Sequence, residues 1–406
     1  MTVKIKSGRA VGTVKAPPSK SMAHRLLICA AMADGQSVVR GISDCEDVAA
    51  TLDCIKAMGI KWERCGDDVT VYGRPFAKAE PEDTLYPRES GSTLRFLIPS
   101  ALLCGKTVMF RGAPGLMSRP MGVYADLCRE HGLTYLCDGA SITVKGPLKS
   151  GTYSVVGNIS SQFISGLLFA LPQLKGDSRI KIAPPIESRS YINMTLDALK
   201  KFGVNARWDD DHTLYIKGGQ AFAPTEVTVE GDYSGAAFTE ALNLLGSSVE
   251  ITGLDPDSIQ GDKVYRKYYS QLYSGVPTIH IGDCPDLGPI LFAIAAARCG
   301  GVFTGTARLK IKESDRARAM AEELKKFGAS VSVAEDRVTV YPACFHAPTE
   351  PLFGHNDHRI VMSLAVLLTA TGGSIEGAEA VSKSYPAFFK DLQYLGIEVE
   401  YDQRAL

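Results

Sequence analysis

Two kinds of helix are predicted by the spacing of apolar positions along the chain, and they alternate. The first kind is amphipathic, closes on glycine and is followed by a β-rich run, as in DCIKAMGIKW. Glycine lacks a Cβ and can adopt the left-handed conformation that ends a helix. This pattern occurs six times, closing at Gly59, Gly132, Gly203, Gly275, Gly328 and Gly396.

The second kind is apolar on nearly every face, as in SKSMAHRLLICAAMADG, and is polar only at its start. A helix without a polar face is expected to be buried inside a domain. Both patterns return after roughly 70 residues, except for one shorter interval of roughly 53, which indicates an internal repeat. The apolar pattern also occurs six times, closing at Gly35, Gly105, Gly176, Gly246, Gly300 and Gly372.

Each repeat is predicted to contain an apolar helix, a short strand, an amphipathic helix and a pair of strands. Repeats that cannot close a core alone must pack together, and the 406 residues exceed the ~250–300 that one core usually takes. The sequence therefore predicts an α/β (α+β) fold with two domains of three repeats each. Boundaries are expected near Pro17 and Pro18 and between Ala223 and Glu230, where prolines cluster with strand-to-loop changes.

Composition narrows the class of protein. The net charge is −1, so binding to nucleic acid or to an anionic membrane by bulk charge is not expected. No apolar run reaches the ~18–20 residues of a membrane helix. Ten cysteines without a CxxC pair indicate buried thiols in a reducing compartment, and no targeting segment is evident. Zinc spacing and the GxxxxGK[ST] loop are also missing, so we expect a cytoplasmic enzyme or binding protein without a metal.

The candidate chemistry lies at the starts of the helices. The first N–H groups of a helix have no intrahelical partner and the dipole adds partial positive charge, so helix starts bind anions. If the repeats of a domain share one orientation, these starts point the same way, and a cationic cleft between the domains is expected although the chain is neutral. The residues found there are Lys20, Ser21, Arg25, Gly91, Arg95, Arg119, Ser160, Ser161, Gln162, Asp286, Lys312, Glu313, Arg316, Asp357, His358, Arg359 and Lys383.

Each of these residues also has a purely structural interpretation. Serine and Asp357 at a helix start are ordinary caps. The charged run at 312–316 could be a solvated face, and His358 alone is more often a hydrogen-bonded structural residue than a catalyst. Arg25 and Arg95 lie within apolar helices, where an unpaired charge is costly, so a ligand or a buried ion pair is favoured there.

A family resemblance rests on six motifs that occur in one order along the chain. These motifs are PPSKSMAHR from Pro17, SGSTLR from Ser90, SRP from Ser118, SSQF from Ser160, KESDR from Lys312 and NDHR from Asn356. Together they resemble the 5-enolpyruvylshikimate-3-phosphate (EPSP) synthase family, from about Lys4 to about Leu395.

The resemblance implies a specific architecture. Two similar lobes would each hold three βαβαββ units with buried parallel helices and pseudo-threefold symmetry, an inside-out α/β barrel. The chain would cross twice between the lobes. Residues 19–230 would then form the N-terminal lobe, on the shikimate 3-phosphate side, and residues 1–18 and 231–406 would form the C-terminal lobe.

The implied reaction is a step of the shikimate pathway towards the aromatic amino acids. It transfers the enolpyruvyl group of phosphoenolpyruvate to the 5-hydroxyl of shikimate 3-phosphate through a tetrahedral adduct and releases phosphate. The resemblance implies no metal and no organic cofactor, and the expected partners are these two small molecules, bound by a monomer. Both substrates carry a phosphate and a carboxylate, so a closing cleft must supply many cations.

By resemblance, the site residues fall into three groups. Those expected to hold shikimate 3-phosphate are Lys20, Ser21, Arg25, Ser160, Ser161, Gln162, Ser188, Asp286 and Lys312. Those expected to hold phosphoenolpyruvate are Lys20, Gly91, Arg95, Arg119, Gln162, Arg316, Arg359 and Lys383. The expected catalytic residues are Asp286, the base for the attacking hydroxyl, Glu313 and Lys20, which deliver a proton to the methylene carbon, and Lys312 in the same region.

Three residues beside the phosphoenolpyruvate pocket depart from many members of the family: Glu89, Phe96 and Arg308. Gly91 is retained. From that glycine we expect that glyphosate, the family's competitor for this pocket, inhibits the protein.

Two alternatives stand beside this hypothesis. The sister enolpyruvyl transferase that acts on UDP-N-acetylglucosamine carries a Cys or an Asp in the loop before its Arg-Pro, and residues 111–120 contain neither. Lys20-Ser21 also differs from the Lys-Asn of that enzyme. A non-catalytic anion-binding scaffold should have lost some of the expected catalytic residues, and all are present.

Overall fold

The computed structural model describes residues 1–342 and 344–402, which form two compact units. The continuous unit is Pro18–Glu230, and the split unit combines Met1–Pro17 with Gly231–Leu406. Each unit has a hydrophobic core of its own. Within the described residues, no helix is long and apolar enough to cross a membrane.

The strands are short, and most of them have four to six residues. In chain order they are β1 (Thr2–Ile5), β2 (Val11–Lys15), β3 (Gly35–Arg40), β4 (Lys61–Cys65), β5 (Asp68–Gly73), β6 (Thr84–Leu85), β7 (Thr107–Phe110), β8 (Thr134–Cys137), β9 (Ile142–Lys145), β10 (Thr152–Val156), β11 (Ser178–Ala183), β12 (Ala206–Trp208), β13 (Thr213–Ile216), β14 (Glu226–Thr228), β15 (Ser248–Thr252), β16 (Thr278–His280), β17 (Gly301–Thr304), β18 (Ser330–Val333), β19 (Arg337–Tyr341), β20 (Leu352–Phe353), β21 (Gly373–Glu376) and β22 (Val399–Asp402).

The helices alternate with these strands. In chain order they are α1 (Lys20–Met32), α2 (Glu46–Ala57), α3 (Gly91–Ala101), α4 (Pro114–Met117), α5 (Gly122–Glu130), α6 (Ser161–Ala170), α7 (Arg189–Lys201), α8 (Tyr233–Glu240), α9 (Tyr265–Ser274), α10 (Gly288–Ala297), α11 (Arg316–Lys325), α12 (His358–Thr371) and α13 (Phe388–Tyr394).

The sheets of the continuous unit share one pattern. Their strand orders are β14-β3-β5-β4, β6-β7-β9-β8 and β10-β11-β13-β12. In each sheet the first two strands are parallel, and the remaining pairs are antiparallel. Since β14, near the end of the unit, pairs with β3 near its start, with Glu226 opposite Val38, the three repeats close on themselves.

The split unit repeats this pattern twice and abbreviates it once. The orders β16-β17-β19-β18 and β20-β21-β1-β22 have the same parallel and antiparallel pairs. The third sheet contains only β2 and β15, which are parallel. In that repeat α9 leads directly to β16 without an antiparallel pair, which accounts for the shorter interval in the sequence. The first strand of the chain thus belongs to the sheet of the last repeat.

Six helices are apolar and buried, as the sequence predicts: α1, α3, α6, α8, α10 and α12. In α10 every residue from Gly288 to Ala296 is buried, and α3 packs against α6 as α10 packs against α12. The amphipathic helices include α2 and α11, which are followed by Gly59 and Gly328 at φ 79° and 85°. These two glycines adopt the left-handed conformation expected of a helix stop. Gly275 differs, because its φ of 166° is extended backbone.

Candidate active site

Lys20 is the first residue of α1 and lies beside an acidic partner. Ser19 caps this helix, because its hydroxyl accepts a hydrogen bond from the backbone N–H of Met22. The Lys20 Nζ donates to Oδ2 of Asp47 at 2.7 Å, and the two side chains are 14% and 12% exposed. Sequence reasoning missed Asp47, because a carboxylate in the first turn of a helix is typical of an ordinary dipole interaction.

Arg25 extends from α1 into a buried pocket of neutral acceptors. Its guanidinium donates to Oγ1 of Thr195 at 2.9 Å, to the carbonyl of Ser21 at 2.6 Å and to the carbonyl of Tyr191 at 3.0 Å. It also lies over the ring of Phe96, 5.1 Å from the ring centroid. Burial lowers the pKa of Arg25 to about 10, so the side chain keeps its charge at neutral pH.

The starts of α3 and α6 are joined by one side-chain amide. Oε1 of Gln162 accepts a hydrogen bond from Arg95 at 2.7 Å, and its Nε2 donates to the hydroxyl of Ser92 at 2.9 Å. Ser160 caps α6 by accepting from the backbone N–H of Gln162. The first turns of two buried helices and the guanidinium of Arg95 therefore lie together.

Gly91, the first residue of α3, lets cations approach the helix start. Ser90 caps the helix, and a Cβ on Gly91 would lie 2.9 Å from Nη1 of Arg119 and 3.3 Å from Nη1 of Arg95. Such distances are too short for a side chain, so only glycine fits without a shift of these guanidinium groups. Two cations beside a helix start form a favourable position for an anion.

The remaining serines of the continuous unit lie at the starts of α6 and α7. Ser161 is the first residue of α6 and is buried. Ser188 precedes α7 in the left-handed conformation, with φ 57° and ψ 40°, and its carbonyl accepts from the N–H of Tyr191 at 3.0 Å. Ser188 thus lies one turn before the residue that contacts Arg25.

In the split unit, Asp286 is contacted by three cations. Its Oδ1 accepts from Arg316 at 2.7 Å and from Lys312 at 3.1 Å, and its Oδ2 accepts from Arg359 at 3.0 Å. Asp286 lies in a single turn immediately before α10, and its side chain is 18% exposed. A carboxylate held at three points has a fixed direction for proton transfer.

Arg316, the first residue of α11, is surrounded by carboxylates. Besides Asp286 it contacts Glu313 at 2.6 Å and Asp357 at 2.8 Å, and only 1% of its side chain is exposed. Burial alone would lower the pKa of Arg316, but these three carboxylates raise it above its ordinary value. Lys312, Glu313 and Arg316 therefore belong to a partly buried ionic cluster and not to a solvated helix face.

Lys312 titrates at a lower pH than an ordinary lysine. Burial lowers its pKa to about 8, Asp286 opposes this effect, and Arg308 and Arg316 add to it. The side chain still has an exposed fraction of 24%. Arg308, one of the residues that depart from many family members, is buried and donates to the carbonyl of Gly282 at 3.4 Å.

Arg359 and the start of α8 reveal a contact that sequence reasoning missed. Nη1 of Arg359 donates to the hydroxyl of Ser234 at 2.7 Å, and the guanidinium lies 5.9 Å from the centroid of Phe238. The start of the fourth apolar helix carries no charged residue after its cap, Asp232, so it offered no candidate. Its serine was the available signal, since the second residue of α1 and of α3 is a serine too.

Lys383 is positioned by Asn356, the residue before the cap of α12. Its Nζ donates to the backbone carbonyl of Asn356 at 2.6 Å and to the side-chain Oδ1 at 2.7 Å. Asp357 caps α12 by accepting from the N–H of Arg359, and His358 is buried in the first turn.

The expected site residues are thus divided between the two units. The continuous unit contains Lys20, Ser21, Arg25, Gly91, Arg95, Arg119, Ser160, Ser161, Gln162 and Ser188. The split unit contains Asp286, Lys312, Glu313, Arg316, Arg359 and Lys383. Across residues 1–342 and 344–402, no group of three or more His, Cys, Asp or Glu side chains is placed to hold a metal ion.

Comparison with known proteins identifies the family. The family model for EPSP synthase (3-phosphoshikimate 1-carboxyvinyltransferase) matches residues 5–272 and 266–392. The chain belongs to the EPSP synthase family. It is 38% identical to the 3-phosphoshikimate 1-carboxyvinyltransferase of Clostridium kluyveri, over 98% of both chains. It is also 38% identical to the Clostridium perfringens protein of that name, over 95% of this chain and 96% of the other.

Solved structures support the fold of this EPSP synthase family member. The EPSP synthase of Acinetobacter baumannii superimposes with a TM-score of 0.79 and 25% identity, covering 98% of this chain and 100% of the other. The enolpyruvyl transferase NikO of Streptomyces tendae has a TM-score of 0.76 and covers 98% of both chains. At 16% identity, NikO shows the fold alone.

Proposed function

We propose that this EPSP synthase family member transfers the enolpyruvyl group of phosphoenolpyruvate to the 5-hydroxyl of shikimate 3-phosphate and releases phosphate. The observation that carries the proposal is the cluster around Asp286, where one carboxylate is oriented by Lys312, Arg316 and Arg359. An addition followed by an elimination needs a fixed base and an acid beside anion-binding cations. Asp286 and Glu313 share Arg316 and supply that pair.

We assign the binding of shikimate 3-phosphate mainly to the continuous unit. Arg25 retains a positive charge among neutral acceptors, and it is the group best suited to pair with a substrate anion. The hydroxyls and helix starts that add to it belong to Ser21, Ser160, Ser161, Gln162 and Ser188, with Lys20 at the start of α1.

We assign phosphoenolpyruvate to two groups of cations. In the continuous unit these are Lys20, Arg95 and Arg119 with Gln162, around the start of α3 at Gly91. In the split unit they are Arg316, Arg359 and Lys383. A phosphate and a carboxylate, removed from water on binding, need charged partners of this number and kind.

We assign the proton transfers to Asp286, Glu313 and Lys20. In the addition, Asp286 accepts the proton of the 5-hydroxyl while the hydroxyl oxygen forms a bond to C2 of phosphoenolpyruvate. At the same time, C3 of phosphoenolpyruvate receives a proton from Glu313 or Lys20. In the elimination, C3 returns a proton, the C2–O bond to phosphate breaks, and the double bond forms again. Lys312, 3.1 Å from Asp286, stabilises its charge before the first step.

The test is release of inorganic phosphate with paired substrates. We expect turnover with phosphoenolpyruvate and shikimate 3-phosphate and none with phosphoenolpyruvate and UDP-N-acetylglucosamine. Asp286→Asn should lower kcat by a factor of about 10² to 10⁴, the usual contribution of a general base. Asp283→Asn, at an exposed position three residues earlier, is the matched control and should leave kcat within about twofold. Release with the second pair only would establish the sister activity, and release with neither would establish a scaffold.

We further propose that the enzyme is a cytoplasmic monomer. All the assigned groups come from one chain, and the ten cysteines are free thiols, as in a reducing compartment. Light scattering should give a mass near 43.6 kDa. A mass twice as large would contradict the monomer without affecting the assigned activity.

A further inference from the structure

Glu323, on α11, is a buried carboxylate outside the charged cluster of the active site. Its side chain is inaccessible to solvent, and it accepts hydrogen bonds from the backbone N–H of Phe353 at 2.9 Å, from Nε2 of His355 at 3.1 Å and from Nζ of Lys326 at 3.3 Å. Burial alone would raise the pKa of Glu323, but these donors hold it below its ordinary value. A buried carboxylate with three hydrogen-bond donors holds the residues that carry these donors in place.

Two of the donors belong to a segment with an unfavourable backbone. His355 and Asn356 are consecutive non-glycine residues at φ 50° and 51°. Side chains with a Cβ are disfavoured in this left-handed region, and such residues persist only where neighbouring contacts hold them. Glu323 holds the segment at Phe353 and His355, and the N–H of Gly354 donates to the carbonyl of Glu376 at 2.8 Å.

The same segment carries the acceptors for two cations of the proposed site, Lys383 and Arg316. Asn356 accepts both hydrogen bonds from Lys383, through its carbonyl and its Oδ1. The next residue, Asp357, accepts from Arg316. The left-handed conformation at residue 356 decides where both acceptors point, and Glu323 contacts the residue immediately before it.

We propose that Glu323 is a positioning residue for phosphoenolpyruvate, acting through His355 and Asn356 on Lys383. This inference rests on the proposed function, in which Lys383 binds that substrate. Loss of the Glu323 charge weakens the contacts that hold Phe353 and His355 in place. Asn356 is then no longer fixed in its left-handed conformation, and its two acceptors move away from Lys383. The binding of phosphoenolpyruvate weakens, while the groups assigned to shikimate 3-phosphate in the continuous unit are unaffected.

The test is Glu323→Gln, compared with Glu322→Gln. The glutamine keeps the shape of the side chain, but it removes the negative charge and leaves one acceptor oxygen for the three donors. Glu322 lies next to it on α11, is exposed and undergoes the same change of charge. We expect the KM for phosphoenolpyruvate to rise about tenfold in Glu323→Gln, with less than a twofold change in the KM for shikimate 3-phosphate. Glu322→Gln should change neither constant by more than twofold.

His355→Leu provides a second route if Glu323→Gln fails to fold. It removes one donor and leaves the carboxylate bonded to Phe353 and Lys326, so a smaller rise of about threefold in the KM for phosphoenolpyruvate is expected. Equal rises in both KM values, or a lower melting temperature with both KM values unchanged, would overturn the positioning role.

Lys383→Met separates this inference from the proposed function. If that variant raises the KM for phosphoenolpyruvate and Glu323→Gln does not, the positioning role is wrong and the assigned site stands. If Lys383→Met leaves the KM unchanged, the assignment of Lys383 is wrong, and Glu323 has no substrate-binding group to position.

Discussion

Arg25 in the continuous unit and Arg316 in the split unit are buried to almost the same degree, at 2% and 1% exposure, but by opposite means. The partners of Arg25 in its hydrogen bonds are two carbonyls and a hydroxyl. Those of Arg316 are three carboxylates. Their pKa values diverge accordingly, since burial lowers that of Arg25 to about 10 and the carboxylates raise that of Arg316.

The difference indicates two uses of one residue type. Arg25 is held in place by groups that do not cancel its charge, so this charge stays available to a substrate anion. Arg316 is surrounded by more negative charge than it carries, so besides its assigned contact with phosphoenolpyruvate it holds Asp286 and Glu313 in fixed positions. Three experiments test this difference between the two units.

Arg316→Met should cause the largest loss of stability. It leaves Asp357, which is fully buried, without its cation, and breaking a buried pair on one side costs about 3–5 kcal/mol of unfolding free energy. Urea denaturation followed by circular dichroism measures the loss. Both tryptophans, Trp62 and Trp208, lie in the continuous unit. If the two units unfold independently, the transition followed by tryptophan fluorescence should therefore stay at the same urea concentration.

Arg318→Met is the control for this loss, because Arg318 lies on the same helix and its side chain is 82% exposed. We expect a change within about 0.5 kcal/mol. If the two variants lose the same stability, the carboxylates around Arg316 do not need their cation, and the contrast with Arg25 fails.

Arg25→Met should have a small effect on stability and a large effect on substrate binding. The substitution leaves no carboxylate unpaired, so the free energy of unfolding should fall by less than about 2 kcal/mol. The KM for shikimate 3-phosphate should rise about 10- to 100-fold, because one charge-assisted hydrogen bond is worth about 1.5–3 kcal/mol. Steady-state kinetics measures the rise, and an unchanged KM would show that Arg25 is structural. Arg25→Lys keeps the charge without the planar fork and should recover only part of the binding.

The smallest expected effect is on the pH dependence of kcat/KM, and it arises from Lys312 in the split unit. Lys312 has a pKa of about 8, so kcat/KM should fall up to tenfold per unit as the pH rises above this value and the ammonium loses its proton. Lys312→Arg stays charged, and its alkaline limb should move above pH 9 whatever its absolute rate. A limb that stays at pH 8 in this variant would assign the titration to another group.

The same pKa sets the sign of a stability effect. Its folded value of about 8 lies below the ordinary 10.5, so the unfolded chain binds the extra proton between these two values. The contribution of Lys312 to stability should therefore increase with pH from about 8 towards 10.5.

The helices and their caps could be predicted from the sequence because they depend on local spacing. The apolar stretch after Ser19 and the one after Ser90 are helices with those serines as caps. The contact of Lys20 with Asp47 could not be predicted, since it joins two helices 27 residues apart. The contacts of Glu323 with Phe353 and His355 were hidden for the same reason, because these two residues lie 30 and 32 positions further along the chain.

The position of the first strand also has no local signal. The four residues of β1 could pair at any sheet edge, and only the assembled split unit places Val3 between Ile375 and Tyr401. The shortened repeat was visible as an interval, but the interval alone did not show that an antiparallel pair of strands is the missing part.

The position of β1 between β21 and β22 has a consequence for synthesis on the ribosome. Because synthesis starts at the N-terminus, β1 is made long before its neighbours at residues 373–376 and 399–402. The continuous unit has every strand of its sheets once residue 228 has emerged. Translation order therefore favours completion of the continuous unit first, while β1 stays without its partners until residues 373–402 have emerged.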